Sequence, residues 1–327
     1  MPDVTPLSPF GRRLARNSLP AIRSIRLIVT SLLFISIGIL LAWGTIVRLP
    51  LGTRATTLLP ASNWTLAASA LWTLTWSLNH LTNSVSQSVA DHLWYACAII
   101  ALCPPIAVLG SRRPGTRVWT AFILVPMLFA LGWPVITLWL QGSDVRGLQL
   151  ETPQLVGYLL VLVMGTGNYI GTRFTLAALL YAIANAIVVV SSSQACPAWL
   201  SDRWWVRLFA TAGMVVAVLS AGREAAFTSH LAPGFDKLWL DFFDQFGIVW
   251  GRRIQDRVNF IAVKEKWPAK LQLNGFQWNG VPDPATEARI EHTFRWLLRR
   301  FVDPDWIDER IGQPSPTQDI SPLSADS

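Results

Sequence analysis

The stretch GTGNYIGTR, from Gly165 to Arg173, holds three glycines within seven residues. Such a cluster is either a loop whose backbone N–H groups cradle a phosphate or a place where membrane helices touch. The spacing argues against the first. A dinucleotide fingerprint needs G-x-G-x-x-G between a strand and a helix, whereas glycines at 165, 167 and 171 leave the last gap one residue too long. All four lysines of the chain lie beyond residue 236, so no phosphate-loop lysine follows. The preceding LVGYLLVLVM runs into the glycines as one apolar segment. Gly167 and Gly171 form GxxxG, one helical turn apart, and the expectation is a seam where a neighbouring helix approaches closely.

Composition supports a membrane reading. Of 327 residues 52% are hydrophobic and 14% charged, against about 25% charged in a soluble domain. The net charge of +7 is unevenly placed. Met1 to Gly222 carries 14 Arg and 5 acids, while Arg223 to Ser327 carries 13 Lys and Arg against 15 acids. The basic excess therefore lies between apolar runs, where it orients a membrane protein, and nucleic acid is excluded as a partner.

Six runs have the roughly 17–25 residues a bilayer requires. They are Leu27–Val47, Leu93–Gly110, Val118–Leu140, Leu155–Gly171, Phe174–Ser192 and Trp204–Gly222. The first is long for a cleavable signal and reads as a retained anchor. The predicted fold class is thus an all-α integral membrane protein. A six-helix bundle (27–222) follows a basic amino-terminal segment (1–26) and precedes a cytosolic, amphipathic-helical region (223–312) and a disordered tail (313–327). Arg12, Arg13, Arg16, Arg23 and Arg26, then Arg112, Arg113 and Arg117, then Arg173, all fall on one side of this arrangement. That places both termini in the cytosol of a bacterial-type cytoplasmic membrane. Residues 65–85 are the exception. Leu71, Leu74, Leu78 and Leu81 repeat at helical spacing opposite Thr, Ser, Asn79 and His80, the pattern of a helix lying in the outer interface.

The carboxy-terminal region differs in character. Pro233 opens a helix expected to reach about Lys266, and Asp283-Pro284 has the N-cap and first-turn chemistry of another. The NG pairs in NGFQWNG (Asn274–Gly280) mark a turn, and DPDWIDERIG (Asp303–Gly312) reads as one more short helix. Phe243, Phe246, Trp250, Ile254, Phe294 and Leu298 form apolar faces too large for two helices to bury alone. They are the expected interaction face for a partner protein, a second copy or the membrane surface.

Catalytic signatures are sparse. The three Cys and four His are scattered, with no ligand spacing for a metal and no cofactor motif. Three functions follow from what remains. The leading one is a non-enzymatic anchor or scaffold acting through its cytosolic region, with the lipid bilayer and a protein as partners. The second is a solute transporter or channel with broken helices around Gly165–Gly171, in which Asn168, Tyr169 and Asn185 supply polar contacts. The third is a membrane-embedded enzyme with an outer-face acid–base site at Asp91 and His92, near His80. No Asp, Glu, Lys or His falls deep inside the six runs, and Arg207, close to a span end, is expected to snorkel outward.

Overall fold

Helices dominate because long apolar segments must satisfy their backbone groups internally. The computed structural model describes residue 29 and residues 31–81, 86–141, 148–194, 196–197, 200, 203–227 and 232–312. The basic segment 1–26 and the tail 313–327 lie outside these. Seven helices make the bundle among the described residues. Helix α1 is Ser31–Thr53 and α2 is Leu59–Leu81. Helix α3, Gln87–Leu109, has a joint at Leu102, beyond which Pro104 and Pro105 occupy a new first turn. Helix α4 joins Thr116–Trp119, a π-helical turn Thr120–Leu124, and Val125–Gln141. Then come α5 (Thr152–Gly167), α6 (Thr175–Ser191) and α7 (Arg203–Phe227). Four stretches are long and apolar enough to cross a membrane: Ser31–Thr53, Gln87–Leu109, Thr120–Thr137 and Trp204–Ala226.

Side-chain contacts fix the directions. Thr57 Oγ1 donates to Ser111 O, and the Cys97 thiol donates to Thr75 Oγ1, so α2 runs antiparallel beside α3. Trp119 Nε1 donates to Ile106 O and Tyr95 OH to Leu131 O, which makes α4 antiparallel to α3. Tyr158 OH bonds Ala98 O, and Gly165 meets Pro105, so α5 runs parallel to α3. Helices α6 and α7 form a tight hairpin. Helix α1 runs with α7, Gly38 meeting Val215 and Gly222 meeting Thr45.

Two expectations change here. The 65–85 segment does not stand apart as an interfacial helix. Its residues 65–81 are part of α2, packed against both segments of α3, and 82–85 lie outside the described residues. Trp72, Trp76 and Thr75 are buried while Leu74 is 55% exposed and Leu71 half-buried, so the tryptophan strip, more than the leucine stripe, faces the bundle. Hydroxyls that looked like a water-facing surface accept helix–helix hydrogen bonds, Thr73 Oγ1 from Trp43 Nε1 and Thr75 Oγ1 from the Cys97 thiol, a use that apolar surroundings favour. The second predicted run also begins earlier. Ser86 caps α3 by accepting from Val89 N, and the added turns carry Asp91 and His92 into the helix.

The carboxy-terminal region forms a cap on one end of the bundle. It contains α8 (Phe235–Lys264), strands β1 (Ala269–Gln272) and β2 (Gly275–Trp278), α9 (Pro284–Leu298) and α10 (Pro304–Ile311). The NGFQWNG stretch is a turn only at its start. Gly275 takes φ +128, and Gly275–Trp278 pairs as a strand with Ala269–Gln272. Helix α8 is broken into two arms at Gly247 (φ 78, ψ −177). The arms fold together closely enough that Phe243 lies against Gly251. Their inner faces share one core with α9, α10, Cys103 and Ile106 of α3, and Leu124 of α4. Phe242, Phe246 and Trp250 all pack on the Phe301 ring, with centroids 4.9–5.4 Å apart.

Candidate functional site: the joint between bundle and cap, and a buried ion pair

GTGNYIGTR is a socket. Helix α5 stops at Gly167, and Gly171 takes φ +84, so the chain turns here and does not continue as helix. Nothing lies within 4 Å of a Cβ built on Gly167 or on Gly171, and the expected GxxxG seam is not formed. The close approach belongs to Gly165, where such a Cβ would stand 3.0 Å from Pro105 Cβ.

Asn168 does the work of the stretch. It is 2% exposed and meets α8 at its break. Asn168 O accepts from Ile248 N at 2.7 Å, Asn168 Oδ1 accepts from Val249 N at 3.0 Å, and Asn168 Nδ2 donates to Phe246 O at 3.0 Å. A break in a helix frees N–H and C=O groups, and one amide side chain with its own carbonyl satisfies them. Gly247 is the one residue type that fits. Its φ/ψ pair is a region that side chains avoid, and a Cβ there would lie 2.4 Å from Asn168 O.

Arg173 adds charge to the same joint. Its backbone N–H donates to Asp244 Oδ1 at 3.0 Å, its Nε lies 2.8 Å from Asp244 Oδ2, and its Nη2 donates to Asp241 Oδ1 at 3.2 Å. Arg310 Nε closes the network on Asp241 Oδ2 at 2.9 Å. Burial pushes the Asp244 pKa up, and Arg173 only partly opposes that shift.

A second joint lies across the cap. The α1–α2 and α3–α4 turns hold the α9–α10 connection. Thr57 N donates to Phe301 O at 2.7 Å, Asp303 N to Ala55 O at 2.8 Å and Arg113 N to Arg300 O at 2.9 Å. Arg113 Nη2 pairs with Asp303 Oδ1 at 2.5 Å, and Trp250 Nε1 reaches Val108 O at 3.2 Å.

These contacts correct the expected sites. Phe243, Phe246, Trp250, Ile254, Phe294 and Leu298 are not a face awaiting a partner. All are buried in the shared core, because the cap's own elements and the bundle end together cover them. Asn168 spends its side-chain amide and its backbone carbonyl on the cap. Tyr169 packs against the cap–bundle core. Asn185 is buried in mid-α6 with Nδ2 bonded to Tyr181 O at 2.9 Å. The structure does not bring these three together.

The Asp91–His92 region is also not an outer surface. Asp91 is 1% exposed and His92 6%. Asp91 Oδ1 pairs with Arg207 Nη2 from α7 and accepts from Gln87 Nε2 at 3.0 Å. Arg207 turns inward, donating to Asn79 Oδ1 at 3.3 Å with its guanidinium 5.9 Å from the Trp94 ring centroid. The expected snorkelling does not occur because an opposite charge waits inside. His92 Nδ1 lies 2.6 Å from Ser88 O. A carbonyl only accepts, so Nδ1 carries the proton, and the buried Nε2 has no hydrogen-bond partner among the described residues. The side chain of His80 lies outside the described residues. No three His, Cys, Asp or Glu side chains gather as a metal site among the described residues.

Sequence reasoning missed Arg173, Asp241, Asp244 and the Asp91–Arg207 pair. Each pair is opposite in sign and lies at a helix end, but partners 68 to 116 residues apart are not legible from spacing. Compared with known protein families, curated proteins and solved structures, the chain matches none of them.

Proposed function

We propose that the chain is a seven-span membrane protein, a non-enzymatic anchor that holds its cap as a rigid platform on the cytosolic face. The observation that carries this reading is the double joint. Asn168 and Arg173 fix one side of the cap and Ala55, Thr57 and Arg113 the other, over a continuous apolar core. A cap so placed seals its end of the bundle, which suits a fixed platform better than a path that opens and closes.

Seven crossings follow from pairing. If α3 crosses the bilayer, α2 packed antiparallel beside it crosses too, and α1 then enters from the face opposite the cap. The cap-side turns and helix ends carry Arg48, Arg54, Arg112, Arg113, Arg117, Arg173 and Arg223. With Lys237, ten residues beyond α7, these make eight against seven on the opposite face (the five arginines of the amino-terminal segment, Arg146 and Arg203), a small excess that favours a cytosolic cap. The amino terminus then lies outside, unlike the arrangement with both termini inside. Single cysteines at Ser18 and Val281, probed in intact cells with an impermeant maleimide, test the topology. Ser18→Cys labels from outside and Val281→Cys only after lysis. Protection of both sites until lysis refutes seven crossings.

The platform itself is tested by crosslinking native membranes that hold the full chain or a version ending at Phe227. A stoichiometric partner joined only to the full chain supports the anchor; two versions that purify alone refute it.

One observation favours a solute carrier as a second reading. Asp91 and Arg207 are buried charges inside the helical bundle, and such charges are costly enough to imply use. Solute flux that disappears in Asp91→Asn while the cap stays docked would favour the carrier.

A further inference from the structure

The second arm of α8 buries one face and leaves the other uncovered. Inside lie Trp250, Ile254, Val258 and Ala262. Outside, Val249, Phe260 and Val263 are 37%, 61% and 82% exposed. At 100° per residue these three fall within one narrow stripe. Arg252 lies on one flank, and Arg253, Arg257 and Lys264 lie on the other; all four are exposed, and Asp256, the one carboxylate on the arm, falls within the stripe between Val263 and Val249. Two of the arginines rest on aromatic rings, Arg253 on Trp250 at 4.8 Å and Arg257 on Phe260 at 5.5 Å, which holds their charge beside the apolar stripe. A soluble helix exposes scattered apolar residues. Exposed apolar residues flanked by four basic side chains, against a single carboxylate, are the composition of a helix seated in anionic headgroups.

Position gives the stripe its occupant. It starts at Val249, whose backbone N–H is held by Asn168 at the end of α5. The next turn is pinned to the end of α3 by Trp250 Nε1 on Val108 O. Helix α5 approaches this point with Leu160, Val163 and Met164 exposed, and Ile170 continues that surface past Asn168. The arm therefore leaves the bundle where its apolar outer surface ends, and runs for about 26 Å. We propose that this arm lies on the anionic headgroups of the membrane that the bundle occupies. Val249, Phe260 and Val263 enter the acyl boundary, and Arg252, Arg253, Arg257 and Lys264 pair with lipid phosphates. The cap is then seated by lipid as well as by the two protein joints. This inference needs a membrane-embedded bundle but not the anchor reading, and holds equally for a carrier.

The test uses the full chain in nanodiscs, in a Cys196→Ser background, since Cys97 and Cys103 are buried. A spin label is placed at Val263→Cys, with Val281→Cys, 96% exposed, as the water-facing control. Collision with oxygen against a nickel chelate reports lipid or water. In phosphatidylglycerol discs the label at 263 reads as lipid-seated and the label at 281 as water-facing. Each basic side chain near an anionic surface contributes about fivefold. Arg253→Glu with Arg257→Glu therefore lowers the ratio of seated to free signal by at least roughly 25-fold. Hydrogen exchange at Phe246 to Val249 verifies that this variant keeps its joint. Three outcomes overturn the proposal. They are a water-facing signal at 263 in every lipid, equal seating in purely zwitterionic discs, and protection of 263 in detergent without lipid, which assigns the stripe to a second copy.

Discussion

Replacing Gly247 by Ala attacks the joint at its narrowest point. The backbone there has φ 78 and ψ −177, which costs a residue with a side chain about 1–3 kcal/mol. The new Cβ would stand 2.2 Å from Asn168 Nδ2 and 2.4 Å from Asn168 O. The second of these is backbone and cannot swing away, so the socket must open. Opening it breaks the hydrogen bonds to Phe246, Ile248 and Val249, each contributing about 0.5–1.5 kcal/mol. The total is about 3–7 kcal/mol, a large part of the roughly 5–15 kcal/mol that holds a domain folded. The cap should undock while the bundle stays folded. Hydrogen exchange of the full chain in detergent reads this as faster exchange across Phe235–Lys264 with little change in α6 and α7. Asn168→Ala should do the same more mildly, about 2–4 kcal/mol, because the buried Phe246 carbonyl loses its donor. Asn168→Asp keeps the acceptor for Val249 N but turns an oxygen toward Phe246 O, so it should not rescue. Gly280→Ala, in open space, is the neutral control. Wild-type exchange in Gly247→Ala would refute the joint.

The remaining predictions use the charges. Asp91→Asn or Arg207→Met alone should cost about 3–5 kcal/mol by leaving one buried charge without its opposite, while the double variant Asp91→Leu with Arg207→Met should recover most of it; thermal unfolding in detergent measures the coupling. Arg113→Ala should shift stability by about 1 kcal/mol or less, since both partners of its pair are well exposed. Arg173→Ala should cost nearer 3 kcal/mol, because it uncovers two carboxylates that are only 9% exposed. Asp244 supplies a pH test. Its folded pKa is raised above the ordinary value, so the folded form takes up a proton at higher pH than the unfolded form. The destabilisation it causes is full above the raised pKa and fades as pH falls through that pKa toward about 4. Denaturation midpoints of wild type minus Asp244→Asn should therefore rise on acidification across that window; a difference independent of pH would refute the assignment.

How much was legible follows the range of each interaction. The helix that begins at Asp283-Pro284 and the short final helix come from local chemistry and stand in the structure where the sequence reading has them, Asp283 at the N-cap position and Pro284 in the first turn. Apolar length alone marks α1, α3, α4 and α7 as membrane-competent. Helix α2 is not in that set, because hydropathy scores a threonine by its contact with water, while Thr73 and Thr75 accept hydrogen bonds from neighbouring helices. The aromatic faces of the cap were seen, but not what covers them, because periodicity shows that a face is apolar and never which surface it meets. The same limit applies to GTGNYIGTR. By itself the sequence marked stretches long and apolar enough to cross a membrane and set the glycine spacing apart from a dinucleotide fingerprint. Only the tertiary structure decided that the stretch is a socket, because the Asn168 amide and the Arg173 guanidinium act on groups that α8 brings to them from 68 to 81 residues away.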